Sequence, residues 1–202
     1  MRRETRRHIV LLGDSVFDNG AYTGTEPDVI THLRSILQAG WAATLCAIDG
    51  STTLDLAAQL PRVPREASHL VVSIGGNDAL LNADILATEV GSTTEALELF
   101  DERVQAFETS YRQAIASVLR LGRPTAVCTI YNGNLPDPQQ ARVARVALMM
   151  FNDVIYRVAS EHHLPVIDLR LVCTEPEDYA NPIEPSGHGG AKIAQAIAQM
   201  HG

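Results

Sequence analysis

Short, almost continuously apolar runs alternate along the chain with longer stretches in which apolar residues recur every three or four positions. The short runs predict buried β-strands, and the longer stretches predict amphipathic helices. Five strands are predicted, at residues 8–12, 43–47, 69–74, 125–130 and 165–168. Strands that alternate with helices favour an α/β fold, in which a parallel sheet is covered by helices on both faces.

Five helices are predicted, at residues 28–37, 54–60, 94–121, 138–162 and 191–200. Gly122 follows the longest of them, as glycine commonly follows a helix. The stretches 80–93 and 132–140 lack periodicity and are expected to form an irregular insertion and a loop. Since no shift in composition marks a boundary, residues 1–202 are expected to form a single domain, with residues 1–7 as a flexible basic tail.

Glycine and polar residues follow the predicted strands at four places. Gly13-Asp14-Ser15 follows the first strand, Asp49-Gly50-Ser51-Thr52 the second, Gly75-Gly76-Asn77-Asp78 the third, and residues 178–190 lie beyond the fifth. The carboxyl ends of parallel strands meet at one edge of a sheet, where such folds bind ligands. A serine there is a candidate nucleophile, although Gly-Asp-Ser alone is more typical of an ordinary turn.

These blocks, in this order and rough spacing, resemble the SGNH hydrolases, also called the GDSL lipase/esterase family. The resemblance covers nearly the whole chain. It implies a three-layer α/β/α sandwich with a flavodoxin-like, parallel five-stranded sheet. It also implies that Ser15 is the nucleophile of an acyl transfer, and that the N–H groups of Ser15 and Gly50 form an oxyanion hole with the side-chain amide of Asn77. The implied activity is that of a serine hydrolase acting on esters of small or medium acyl groups.

The fourth block departs from the family's Asp-x-x-His-Pro pattern, in which the histidine is the general base and the aspartate orients it. Asn181 stands at the aspartate position and Glu184 at the histidine position. Three interpretations remain open. His188 serves as the base, oriented by Glu184 or Asp178. Alternatively, Glu184 itself takes the serine proton, which requires burial to raise its pKa. In the third, the protein is a ligand-binding pseudoenzyme with little or no hydrolysis.

Charge and composition limit the classes of molecule that the protein is expected to bind. A net charge of −8 and a pI near 5.3 argue against nucleic acid, and the expected partner is a small-molecule ester. No apolar run reaches the roughly 18 residues that cross a membrane, and the first residues do not have the pattern of a signal peptide. The sequence does not predict the oligomeric state.

The cysteines, carboxylates and some apolar residues indicate the cellular compartment, the cofactors and the lining of the substrate pocket. Cysteines 46, 128 and 173 are widely spaced in apolar segments, which favours buried thiols and a cytoplasmic protein. No cofactor or metal is predicted, although the carboxylates of residues 14, 18, 49, 78 and 184 would suit a divalent cation if they converged. The apolar residues Leu80, Leu81, Tyr131 and Leu135 are expected to line the substrate pocket.

Overall fold

All five predicted strands form, and they pair side by side in one parallel sheet. The structure, a computed structural model, describes residues 7–201. The strands are β1 (Arg7–Gly13), β2 (Trp41–Leu45), β3 (His69–Ser73), β4 (Thr125–Cys128) and β5 (Val166–Ile167). Their order is β2-β1-β3-β4-β5, with parallel register throughout. This is the flavodoxin-like order that the resemblance implies.

Helices cover both faces of the sheet. Within residues 7–201 the α-helices are α1 (Val29–Ile36), α2 (Leu56–Gln59), α3 (Gly76–Leu81), α4 (Thr93–Leu119), α5 (Pro138–Glu161), α6 (Leu169–Val172) and α7 (Gly187–His201). Short 3-10 helices occur at Leu60–Arg62, Ala83–Ala87 and Pro176–Asp178. None of the helices in this range has the length and apolarity needed to cross a membrane.

The sheet divides the core into two layers because successive strand side chains point to opposite faces. Val10 and Leu12 of β1 pack with apolar residues of α2, α4 and α5. Ile9 and Leu11 pack on the other face, with residues of α1, α6 and α7. All four side chains are completely buried. The three-layer sandwich is therefore confirmed.

Several predicted bounds were wrong. α7 begins at Gly187, four residues before the predicted start, because the Oγ of Ser186 accepts the N–H of Gly189 (3.1 Å) and caps the first turn. β4 ends two residues early because the N–H of Ile130 donates to the Oδ1 of Asn152 (2.8 Å) instead of to a neighbouring strand. The helices α3 and α6 were not predicted, since elements of 6 and 4 residues are too short to show a period.

The predicted tail lies mostly outside the described residues. Arg7, its last residue, begins β1, and its guanidinium carbon lies 5.0 Å from the centre of the Trp41 ring. β1 has β2 on one side and β3 on the other, so the strand order reverses there. In open α/β sheets the crevice at such a reversal, at the carboxyl ends of the strands, is where ligands bind. Ser15 follows β1 into that crevice.

Candidate active site

The turn that carries Ser15 is set by the backbone of β1 and β3. Gly13 has a φ of +131°, and a Cβ there would lie 1.7 Å from the carbonyl oxygen of Ser73, so only glycine fits. The N–H of Asp14 donates to the same oxygen (3.1 Å), and the Oδ1 of Asp14 accepts the N–H of Val16 (3.1 Å). Ser15 therefore leaves the strand in a tight turn, with 7% of its surface exposed.

A buried glutamine reinforces this turn. The side chain of Gln59 in α2 accepts the N–H of Gly13 (2.8 Å) and donates to the carbonyl oxygen of Gly13 (2.7 Å). Its Nε2 also lies 3.2 Å from the Oγ of Ser51. Gln59 is fully buried, and its role was not predicted from the sequence. The available signal was a polar residue inside a short apolar helical pattern.

Two of the three expected oxyanion donors line one cleft. Ser15 and Asn77 both face it, whereas Gly50 does not line it and is exposed. The Nδ2 of Asn77 donates to the carbonyl oxygen of Ser51 (2.9 Å), which connects α3 to the residue after Gly50. Among the hydrogen bonds within residues 7–201, none is donated by the backbone N–H of Ser15 or Gly50. These N–H groups are therefore available to a ligand.

Gly50 and Asp78 shape the loops that follow β2 and β3. Gly50 has a φ of +77°, and no atom lies within 4 Å of where its Cβ would be, so its conformation and not a close approach favours glycine. Asp78 accepts the N–H (3.0 Å) and the hydroxyl (2.6 Å) of Thr53. It therefore connects the loop after β3 to the chain after β2.

Glu184 is the carboxylate of the fourth block that lies near Ser15. Its side chain is 6% exposed and lines the same cleft. Burial raises the pKa of the Glu184 carboxyl; the hydrogen bond from the Ser15 hydroxyl acts to lower it, and the charge of Asp49 acts to raise it. The Oε2 of Glu184 is buried and has no hydrogen-bond partner within residues 7–201. A carboxylate with a raised pKa is a stronger base than an ordinary one.

Asn181, at the family's aspartate position, shapes the turn before Glu184. Its Oδ1 accepts the N–H of Ile183 (2.9 Å) and the N–H of Glu184 (3.0 Å). These are backbone contacts, so Asn181 sets the path of the chain and does not hold the Glu184 carboxylate. Asn181 therefore does not orient the Glu184 side chain in the way that the family's aspartate orients a histidine base.

Side chains from other parts of the fold hold this segment in place. The Nδ2 of the fully buried Asn19 donates to the carbonyl oxygen of Pro185 (3.1 Å), directly after Glu184. The hydroxyl of Tyr131 donates to the carbonyl oxygen of Ile183 (2.5 Å), directly before it. Glu184 is therefore flanked by two buried tethers; Asn19 was not predicted from the sequence, and Tyr131 was predicted only to line the pocket.

His188 lies in the first turn of α7 and does not line the cleft that contains Ser15. Its side chain is 59% exposed, and its Nε2 lies 3.7 Å from the Oδ1 of Asp178. Asp178 is fully buried and pairs with Lys192 (2.7 Å). Burial acts to raise the pKa of Asp178, but Lys192 and the N–H of Glu175 outweigh it and leave the pKa lowered. His188 therefore lies beside the ion pair of Asp178 and Lys192.

Asp14 is a second buried carboxyl at the site. Burial raises its pKa to about 8; the N–H of Val16 acts to lower it, and the charges of Glu184 and Asp78 act to raise it. Asp14 is therefore mainly protonated at pH 7. Within residues 7–201, no group of three His, Cys, Asp or Glu side chains is arranged to hold a metal ion.

The cleft beside Ser15 has apolar walls and a volume of about 140 Å³. Leu80, Tyr131 and Leu135 line it as expected, but Leu81 does not and is 73% exposed. Other apolar residues of the walls come from several elements: Ile74, Ile85, Leu86, Phe100, Ile130, Leu148, Phe151 and Ile183.

Comparisons with known proteins concern the family and the fold of this chain. The sequence model described as "GDSL-like Lipase/Acylhydrolase family" matches residues 11–193. No curated protein matches the sequence. The match spans every block from the Gly-Asp-Ser turn to the first half of α7.

Solved structures share the fold at low sequence identity. An extracellular lipase from Streptomyces rimosus is 17% identical with a TM-score of 0.69, covering 96% of this chain and 98% of the lipase. The lipase Lip_vut3 from a goat rumen metagenome is 18% identical with a TM-score of 0.72, covering 96% of each chain. Phospholipase A1 from Streptomyces albidoflavus is 14% identical with a TM-score of 0.71, covering 96% of this chain and 98% of the phospholipase.

Proposed function

The chain belongs to the GDSL-like lipase/acylhydrolase family, and we propose that it hydrolyses carboxylic esters by acyl transfer through Ser15, with Glu184 as the general base. The observation that carries the proposal is the buried Glu184 carboxylate against the Ser15 hydroxyl, beside an apolar cleft. Membership alone supports a hydrolase. The position of Glu184 supports this particular base.

Acylation begins when the Oγ of Ser15 attacks the carbonyl carbon of the ester. The hydroxyl proton passes to the carboxylate of Glu184, and the carbonyl oxygen becomes an oxyanion. The bond to the alcohol oxygen then breaks, and that oxygen takes the proton back from Glu184. The alcohol leaves, and the acyl group stays on Ser15 as an ester.

Deacylation repeats these steps with water. The water loses a proton to Glu184 and attacks the acyl carbon, and Ser15 leaves with that proton. The N–H groups of Ser15 and Gly50 and the amide of Asn77 would stabilise the oxyanion in both halves. The unused N–H groups of Ser15 and Gly50 support this role. The neutral state of Asp14 supports it too, because a second negative charge beside the oxyanion would oppose its formation.

The apolar cleft supports an acyl group of small or medium length as the part of the substrate that it holds. Its walls contain the aromatic rings of Phe100 and Phe151 together with leucine and isoleucine side chains. Burial of each CH₂ group contributes about 0.8 kcal/mol, so an acyl chain gains affinity with length until the cleft is full.

The three buried, free cysteines support a reducing compartment such as the cytoplasm.

Active-site labelling and burst kinetics test the proposal together. We expect p-nitrophenyl butyrate to give a burst of one p-nitrophenol per protein molecule, and a fluorophosphonate to label the protein once. Ser15→Ala should abolish both, whereas Ser35→Ala, at an exposed serine of α1, should retain both. Absence of turnover across a broad panel of esters, together with absence of labelling, would contradict the proposal.

A second candidate is the ligand-binding pseudoenzyme. Asn181 favours it, because its contacts are with backbone N–H groups and it gives the Glu184 carboxylate no support. The pseudoenzyme would bind a carbonyl compound saturably, and Ser15→Ala would bind it equally well. Fluorophosphonate labelling of Ser15 would exclude this candidate, because only an activated serine reacts.

A further inference from the structure

A fully buried glutamine joins two of the three segments that carry the expected oxyanion donors. Gln59 of α2 has its whole side chain in the core, although glutamine is mostly an exposed residue. Its Oε1 accepts the N–H of Gly13 (2.8 Å), and its Nε2 donates both to the carbonyl oxygen of Gly13 (2.7 Å) and to the Oγ of Ser51 (3.2 Å). Gly13 begins the turn that carries Ser15, and Ser51 directly follows Gly50. One side chain therefore contacts the segments of both backbone donors.

These contacts leave the amide of Gln59 only one orientation. Its oxygen faces an N–H and its nitrogen faces two oxygens, so the reversed amide would oppose donor to donor and acceptor to acceptor. The backbone that carries it is fixed as well, because Leu56 of the same short helix is completely buried in the core layer that α4 and α5 form. Gln59 therefore holds two loops from a fixed position.

The direction of the Gly50 N–H depends on a four-residue turn. The N–H of Ser51 donates to the carbonyl oxygen of Ile48 (3.2 Å) and closes the turn, in which Gly50 is the third residue with a φ of +77°. A positive φ at the third residue is typical of a type II turn and favours glycine. The N–H of Ile48 donates to the carbonyl oxygen of Gly13 (3.1 Å), which fixes one end of the turn to β1. Gln59 fixes the other end through Ser51, so the Gly50 N–H is oriented by contacts at both ends.

Asn77, the third expected donor, is attached to the same turn. Its Nδ2 donates to the carbonyl oxygen of Ser51 (2.9 Å), and since an amide nitrogen carries two hydrogens, one remains for an oxyanion. The next residue repeats the attachment, because Asp78 accepts the N–H (3.0 Å) and the hydroxyl (2.6 Å) of Thr53. The segments after β1, β2 and β3 are thus connected through Ser51, with Gln59 on one side of it and Asn77 on the other.

An oxyanion hole works only if its donors are already in place. They must lie about 2.7–3.1 Å from the position that the oxyanion will occupy, and donors that are fixed there need no reorganisation when the charge develops. We propose that Gln59 is a positioning residue for the oxyanion hole. By holding Ser51 against the Ser15 turn it sets the distance between the two backbone donors, and through Ser51 it sets the position of the Asn77 amide.

This role of Gln59 rests on the proposed function and adds what holds the three donors together. Gln59 does not line the cleft, so it acts on the reaction only through the groups that it holds. Its loss should therefore weaken the stabilisation of the transition state and leave the binding of the acyl group in the cleft nearly unchanged.

Two variants test it by removing different shares of the contact. Ser51→Ala removes the Oγ that Gln59 binds and keeps both contacts to Gly13, whereas Gln59→Leu removes all three. Complete loss of one oxyanion donor lowers kcat about 10²- to 10³-fold. On p-nitrophenyl butyrate we therefore expect kcat to fall about tenfold in Ser51→Ala and about 10²-fold in Gln59→Leu, with KM changed less than about twofold in both.

Matched controls separate positioning from general loss of stability. Asn152→Leu removes a buried amide that binds the N–H (2.8 Å) and the carbonyl oxygen (2.9 Å) of Ile130, as Gln59 binds those of Gly13. Ser117→Ala removes a buried hydroxyl of α4 that donates to a carbonyl oxygen of its own helix. Both controls should lower the free energy of unfolding and keep kcat within about twofold, since neither residue contacts the donor segments.

Two further measurements distinguish a displaced oxyanion hole from a smaller fraction of folded protein. Fluorophosphonate labelling taken to completion counts the active sites, and kcat is expressed per labelled site. Butaneboronic acid adds to the serine oxygen as a tetrahedral analogue of the transition state, so its inhibition constant should rise by the same factor by which kcat/KM falls. Loss of folded protein alone would lower the count of sites and leave both of the other quantities unchanged.

The outcomes separate failure of this inference from failure of the proposed function. If kcat per labelled site stays within about twofold in Ser51→Ala and Gln59→Leu, or falls equally in the two controls, Gln59 is not a positioning residue, and the esterase stands. If Gln59→Leu does not fold, which circular dichroism detects, Ser51→Ala decides alone because it keeps the Gly13 contacts. An unmodified protein that neither hydrolyses esters nor reacts with the fluorophosphonate would overturn both.

Discussion

The segments that carry Ser15 and Glu184 meet at one crevice but are held there differently. The Ser15 turn is held mainly by the sheet: Gly13 lies at the end of β1 in contact with Ser73 of β3. The Glu184 segment is irregular, and its tethers come from remote side chains such as Asn19. The nucleophile is therefore positioned with the sheet itself, whereas the proposed base depends on a few buried polar contacts. Substitutions should affect the two segments to different extents.

The largest effect is expected at the base itself. Glu184→Gln removes the proton acceptor but keeps the shape, so kcat for ester hydrolysis should fall about 10³-fold, the middle of the range for general-base catalysis. His188→Ala should lower kcat less than about threefold, since His188 is exposed and lies outside the cleft. Steady-state kinetics on p-nitrophenyl butyrate measures both.

The reverse ranking of these two variants would make His188 the base. It would require the first turn of α7 to rearrange when substrate binds. Circular dichroism on both proteins serves as the control, because loss of helix signal in either would show that the fold and not the chemistry had changed.

The next largest effect is expected at the contact that reinforces the Ser15 turn. Gln59→Leu leaves the buried N–H of Gly13 without its partner and removes one of the donors to the Gly13 carbonyl oxygen. Buried unpaired groups of this kind cost about 1–3 kcal/mol each, so the free energy of unfolding should fall by about 2–4 kcal/mol. Urea denaturation measures this. Unchanged stability would mean that the Gly13 peptide finds other partners.

A smaller effect on stability, with a specific effect on catalysis, is expected at the tether of the Glu184 segment. Asn19→Ala removes the hydrogen bond to Pro185 and another from the N–H of Val29 (3.0 Å), which should cost about 2 kcal/mol and lower kcat about tenfold. Asn152→Ala is the matched control, because its buried amide also binds backbone, at Ile130.

Both asparagine variants should lose similar stability in thermal unfolding. Only Asn19→Ala should also shift the acidic limb of the kcat profile, because it alone moves Glu184. An Asn152→Ala variant with the same shift would show that the effect follows from general loosening of the fold.

The smallest effect at neutral pH is expected at Asp14. Activity should rise with pH as Glu184 ionises, above the usual pKa of a glutamate, and fall again near pH 8 as Asp14 becomes charged beside the oxyanion. Asp14→Asn keeps the neutral shape, so kcat at pH 7 should change less than about threefold while the fall near pH 8 disappears. The measurement is kcat against pH for both proteins.

The raised pKa of Asp14 also makes the free energy of unfolding depend on pH. Asp14 holds a proton up to about pH 8 in the folded state, whereas an aspartate in the unfolded chain releases it near pH 3.9. The folded state thus binds more protons between these values, and the free energy of unfolding falls as pH rises through them. Asp14→Asn should flatten this slope in urea titrations. An unchanged slope would mean that Asp14 is ionised at neutral pH.

Features that depend on local pattern were predictable from the sequence. The five strands are confirmed because buried parallel strands are nearly continuous apolar runs, and the sheet order is confirmed because the ordered blocks resemble a family with that fold. Helix bounds were wrong where a single side chain decides them, as Ser186 does for α7. The positions of Ser15 and Asn77 at the cleft follow from the strands that precede them.

Features that depend on distant contacts were not predictable. Gln59, Asn19 and Tyr131 act on residues 46, 166 and 52 positions away along the chain, and no spacing rule indicates such pairs. The pKa values of Asp14 and Glu184 likewise depend on how far folding removes them from water.

The sequence by itself therefore determined the sheet, the crevice and the serine presented to it, because apolar period and turn chemistry are local properties of the chain. It left open whether His188, Glu184 or no residue serves as the base, since His188 and Glu184 lie only four residues apart. Only the tertiary structure shows how their surroundings differ. Glu184 is buried near Ser15, whereas His188 is exposed and lies next to Asp178. The physical reason is that desolvation and charge at a side chain are set by whatever the rest of the fold packs around it.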